Sequence, residues 1–93
     1  MNEYELVFIV HPELDENAFK ELLEKVKGWV AEADGQVTKV DLWGKRRLSY
    51  LIRKQREGVY VVMQTSMPPA ACITLERNLR FQEPVLRFLL TQK

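Results

Sequence analysis

The residues best suited to chemistry lie in one stretch, Trp43-Gly44-Lys45-Arg46-Arg47-Leu48-Ser49-Tyr50-Leu51-Ile52-Arg53-Lys54. It sets five basic side chains (Lys45, Arg46, Arg47, Arg53, Lys54) beside two aromatic ones, Trp43 and Tyr50. Cations neutralise phosphates and rings offer stacking area, so the combination suits a nucleic-acid surface. The plain alternative is a twisted strand whose long basic side chains keep it soluble. The alternation is that of a β-strand: Leu48, Tyr50 and Ile52 point one way, and Arg47, Ser49, Leu51 and Arg53 the other.

Catalysis is poorly supplied. The one histidine, His11, precedes a proline and reads as a loop or cap residue. The one cysteine, Cys72, falls on the apolar side of a helical pattern and reads as core packing rather than a reactive thiol. One histidine and one cysteine do not make a usual zinc site, so neither a metal nor another cofactor is expected. The four glycines are scattered and form no phosphate-cradling loop. Glu16, Glu21 and Glu24 are the solvated face of a helix.

Ninety-three residues that are 46% apolar are expected to form a single domain, residues 1–93, with a real core. No apolar run approaches the ~20 residues that span a bilayer. Met1 to Glu5 lacks the basic-then-apolar design of a signal peptide. A lone cysteine forms no internal disulfide, which fits a reducing, cytoplasmic setting. The net charge of +1 conceals an asymmetry: residues 1–41 carry −6 and residues 42–93 carry +7. All seven arginines lie in the second part, and arginine is the cation suited to phosphate forks and to stacking on bases.

The positioning elements follow from periodicity. Tyr4 to Val10 is a nearly continuous apolar run and reads as a central strand, stopped by His11-Pro12. Asp15 is a good helix N-cap, with Leu14 and Phe19 at hydrophobic-staple spacing. Phe19, Leu22, Leu23, Val26, Trp29, Val30 and Ala33 make a helical stripe, ended by Asp34-Gly35 with Gly35 expected in the left-handed cap. A second strand starts at Gln36, and Gly44 falls where a bulge would let it run on into the basic stretch. Gln55-Arg56-Glu57-Gly58 reads as a turn and Val59 to Met67 as a third strand, the two strands forming a hairpin. Pro68-Pro69 opens a helix with Ala71, Cys72, Leu75 and Leu79 inward and Arg77 and Arg80 near its end. After Glu83-Pro84, Val85 to Leu90 is a last strand.

The order strand, helix, strand, strand, helix, strand is the split βαβ, or ferredoxin-like, α+β arrangement. Two helices are expected on one face of a four-stranded antiparallel sheet, with the other face open. Fold alone decides nothing about function. Gly58-Val59-Tyr60-Val61-Val62-Met63 matches the signature strand of an RNA-recognition motif in only a glycine and one aromatic, out of register. The loop His11-Pro12-Glu13-Leu14-Asp15 lacks the arginine that a phosphatase of acylphosphatase type would need there. A regulatory ferredoxin-like domain that binds a small metabolite is the alternative from another class.

The stretch from Trp43 to Ile52 resembles the signature of ribosomal protein six of the bacterial small (30S) subunit: Trp-Gly, basic residues, Leu, Ala or Ser, Tyr, any residue, Ile. Tyr4-Glu5 before an apolar strand, Pro12-Glu13-Leu14, and Leu75 to Arg87 resemble that family's opening, first loop, second helix and last strand. The likeness runs from end to end. It implies a structural RNA-binding protein, not an enzyme, that binds the central domain of 16S rRNA paired with small-subunit ribosomal protein eighteen, which docks on its sheet. It implies RNA or partner contacts at Lys45, Arg46, Arg47, Arg53, Lys54, Arg80 and Arg87, and a fold or partner-surface role for Trp43, Leu48, Tyr50 and Ile52. Two positions depart from the family pattern. Asn2 and Glu3 stand where many members have a basic residue, and Leu51 stands where many have proline.

Overall fold

The computed structural model describes residues 1–93. Strand β1 (Asn2–Val10) is followed by helix α1 (Glu16–Glu32), strands β2 (Gln36–Ile52) and β3 (Gln55–Met67), helix α2 (Ala70–Arg80) and strand β4 (Val85–Gln92). The sheet order is β2-β3-β1-β4, and every neighbouring pair is antiparallel. This is the ferredoxin-like arrangement expected from the order of elements. β1 is central, as its apolar run requires.

Alternation along β1 and β3 builds the core. Tyr4, Leu6, Phe8 and Val10 meet Val61, Met63 and Met67 on the helix side of the sheet, where Leu22, Val26 and Val30 of α1 and Ala71, Leu75 and Leu79 of α2 close a cluster of 14 buried residues. Cys72 packs against this cluster, as do Leu14 and Phe19. The α1 N-terminus is capped by the Asp15 carboxylate, which accepts from the Ala18 N–H at 2.8 Å.

Two local expectations are corrected. The left-handed residue after α1 is Asp34 (φ 64°), not Gly35. Asparagine and aspartate tolerate this region better than other side chains. Gly35 is required for space instead: a Cβ there would stand 2.5 Å from Met67 Cβ and 2.9 Å from the Ser66 carbonyl oxygen. The hairpin turn is Arg53-Lys54, not Gln55–Gly58. Both turn residues have positive φ (48° and 66°), and Ile52 pairs with Gln55. Gln55 to Gly58 belongs to β3, in register with β2, and Gly58 leaves the space that Ile9 fills. A glycine within a strand reads as a turn when the close approach of another strand's side chain is not visible.

Candidate nucleic-acid and partner interface

The site is made by irregularities in β2. A register shift between Leu42 and Gly44 leaves Trp43 as the extra residue, beside Gly44, whose φ of 79° only glycine adopts at little cost. A second shift lies between Arg47 and Ile52, where Leu48, Ser49, Tyr50 and Leu51 stand against Arg56 alone. Bulges bend a strand and increase its twist. The outer part of the β2–β3 hairpin therefore curls over the face of the sheet that the helices leave uncovered.

That face is consequently only partly open. Ile9, Val62 and Leu86 are 8%, 3% and 7% exposed, although none belongs to the main core. Between the hairpin and the sheet lies a cavity of about 330 Å³, lined by Leu48, Tyr50 and Ile52 from β2, Val7 and Ile9 from β1, Tyr60 from β3, and Phe88 and Leu89 from β4. Two contacts hold the hairpin down. Arg87 Nη1 of β4 donates to the Tyr50 hydroxyl, and Arg53 Nη1 donates to the Glu83 carbonyl oxygen at 3.0 Å. Beside the cavity, Trp43 stacks on Tyr60 with centroids 6.2 Å apart and planes 12° apart, and the Arg46 guanidinium lies 5.9 Å from the Trp43 ring centroid.

The cations of this region have no carboxylate partners. The three ion pairs of the chain, Lys20–Glu16, Lys27–Glu24 and Lys39–Asp41, all involve residues of the acidic first part. Lys45, Arg46, Arg47, Arg53 and Lys54 are exposed on the hairpin. Arg87 joins them through Tyr50. Arg80 stands apart, exposed on the last turn of α2 with its guanidinium 6.0 Å from the Phe88 ring centroid. Trp43, Tyr50 and the β4 residue Leu89 are 51%, 58% and 62% exposed on the same side as the cavity, while Leu48 and Ile52 are half-buried. Arg56, overlooked when its segment reads as a turn, adds another exposed cation to the hairpin. Asn2 pairs with Met67, at the end of β1 away from the hairpin turn.

A two-helix, four-stranded antiparallel sheet whose hairpin is bulged, cationic and folded over one face defines a ferredoxin-like α+β protein with an exposed cationic surface on that hairpin. A family model described as Ribosomal protein S6 matches residues 3–92, and the chain belongs to that family. It is 41% identical over 92 residues to small ribosomal subunit protein bS6 of Moorella thermoacetica, covering 99% of this chain and 94% of that one. Its identity to bS6 of Nocardia farcinica is 45% over 87 residues, covering 94% and 92% of the two chains. The crystal structure of 30S ribosomal protein S6 from Thermotoga maritima superposes with a TM-score of 0.94 at 29% identity, covering 99% of this chain and 87% of that one. The C-terminal domain of the MgtC protein from Mycobacterium tuberculosis shares the fold alone, with a TM-score of 0.71 at 12% identity. Proteins of the S6 family are structural components of the ribosome and not enzymes.

Proposed function

We propose that this chain is a structural constituent of the small ribosomal subunit that binds the central domain of 16S rRNA together with small-subunit ribosomal protein eighteen, and so supports assembly of the platform and translation in the cytoplasm. The observation that carries this reading is the pairing of two surfaces in one hairpin. Its exposed cations lack carboxylate partners and are free to meet phosphates. Its aromatic and aliphatic side chains, with Leu89, leave an apolar patch around a cavity of about 330 Å³. Exposed apolar patches of this kind mark contacts with other macromolecules. Lys45, Arg46, Arg47, Arg53, Lys54, Arg80 and Arg87 are the cations assigned to RNA or partner contacts, and Trp43, Leu48, Tyr50 and Ile52 shape the partner surface.

Filter binding to a 16S central-domain fragment, with and without protein eighteen and at two salt concentrations, tests the reading. Tight, salt-sensitive binding is expected when the partner is present. Replacing Arg46 and Arg47 together by glutamine should flatten the salt slope by about 1.4, since each phosphate contact to single-stranded RNA contributes roughly 0.7. A folded protein that binds in neither condition would exclude the reading, and an unchanged slope would exclude the role of these two arginines.

A further inference from the structure

Phe81 is an aromatic side chain that the folded hairpin does not explain. It is 76% exposed, more than Trp43 or Tyr50. Its backbone is nonetheless firmly held. Leu79, two residues earlier, is fully buried, the Gln82 N–H donates to the Leu79 carbonyl at 3.1 Å, and the Val85 N–H donates to the Gln82 carbonyl at 3.1 Å. The next residues are tied to the rest of the sheet: the His11 N–H donates to the Pro84 carbonyl at 2.8 Å, and Arg53 from the hairpin turn donates to the Glu83 carbonyl at 3.0 Å. The ring therefore stands on a fixed base between the end of α2 and the tip of the hairpin.

Cations flank it on both sides. Arg77 and Arg80 occupy the last turn of α2, where they also offset the negative end of the helix dipole. Arg53 approaches from the hairpin turn through its contact to the Glu83 carbonyl. The acids of the same segment, Glu76 and Glu83, form no ion pair with any of these residues. Arg87 instead lies over the Tyr50 ring, on the sheet face that carries the apolar cavity. The centres of protein interfaces are depleted in charge, whereas unpaired RNA bases are met by aromatic rings and guanidinium planes together.

We propose that Phe81 stacks on an unpaired RNA base, with Arg77, Arg80 and Arg53 taking the neighbouring phosphates. The assignment rests on the ribosomal reading above.

The test compares the full chain with its Phe81→Ala and Phe81→Tyr variants, in complex with protein eighteen, on the central-domain fragment at two salt concentrations. Phe81→Ala should weaken RNA binding by about 5- to 100-fold without changing the salt slope, because a stacked ring is lost and no charge is. Phe81→Tyr keeps the ring and should bind within about twofold of the unsubstituted protein. Affinity for protein eighteen in the absence of RNA should be the same for all three. RNA binding by Phe81→Ala at full strength would overturn the proposal, as would equal weakening by alanine and tyrosine. A loss of affinity for protein eighteen alone would move Phe81 to the protein interface and also overturn it. If the unsubstituted protein bound no RNA with its partner, the ribosomal reading would fall first; normal binding with an indifferent Phe81 would remove only the stacking contact.

Discussion

Arg87 and Tyr50 lie 37 residues apart and meet across the sheet: the Arg87 guanidinium carbon is 5.7 Å from the Tyr50 ring centroid, and Nη1 donates to the hydroxyl. This pair joins the edge strand β4 to the bulged part of β2 over the cavity. It is half in solvent, so its strength is modest. A double-mutant cycle with Tyr50→Ala and Arg87→Ala should give a coupling of about 0.5–1 kcal/mol in urea unfolding, the range for an exposed cation–π pair. Additive effects, within about 0.3 kcal/mol, would show that the two side chains do not hold the hairpin to the sheet.

The hairpin turn sets stability against function. A two-residue loop with positive φ at both positions favours Asn-Gly, yet here it holds Arg53 and Lys54. Each ordinary side chain in the left-handed region costs about 1–2 kcal/mol. Changing Arg53→Asn and Lys54→Gly together also removes the contact to the Glu83 carbonyl. The net expectation is a gain of about 1 kcal/mol in unfolding free energy, with about 1 kcal/mol subtracted for the lost hydrogen bond. RNA affinity should fall at the same time, because two cations are gone. A variant that is no more stable than the parent would show that the turn carries no strain worth relieving.

Two glycines should respond in opposite directions to the same substitution. At Gly28, within α1, an added Cβ meets nothing within 4 Å. Gly28→Ala should therefore raise stability by about 0.5–1 kcal/mol through helix propensity and a less flexible unfolded chain. At Gly35 the added Cβ would fall against Met67 Cβ and the Ser66 carbonyl oxygen, and a backbone atom does not give way as the tip of a side chain does. Gly35→Ala should cost about 1–3 kcal/mol. Denaturant midpoints of the two variants on opposite sides of the parent are the expected result.

Loss of the α1 cap gives a further measure of local structure. Asp15→Ala removes the acceptor for the Ala18 N–H and should lower stability by about 1 kcal/mol. Asp15→Ser, which retains an acceptor, should recover most of the loss in the same unfolding experiment.

Much of this protein is determined by the order of its residues alone. The nearly continuous apolar run of β1, the period-3.6 stripe of α1, the alternation from Arg47 to Arg53 and the proline breaks set the six elements, because hydrophobic patterning acts locally and binds each segment to one geometry. The segregation of all seven arginines into residues 42–93 and the signature from Trp43 to Ile52 are likewise properties of the sequence. Tertiary structure decided what lies between elements. That Gly35 and Gly58 make room for Met67 and Ile9 depends on contacts between segments distant in the chain. That the turn is Arg53-Lys54 follows from a strand register that leaves residues unmatched at Thr38, at Trp43 and between Leu48 and Leu51. Gly44 marks its bulge in the sequence, whereas the irregularity over Leu48 to Leu51 has a weak local signal, since only the partner strand shows which residues are unmatched. Their bend folds the basic hairpin back over β1 and β4, so that Tyr50 reaches Arg87 and Arg53 reaches the loop beside Phe81.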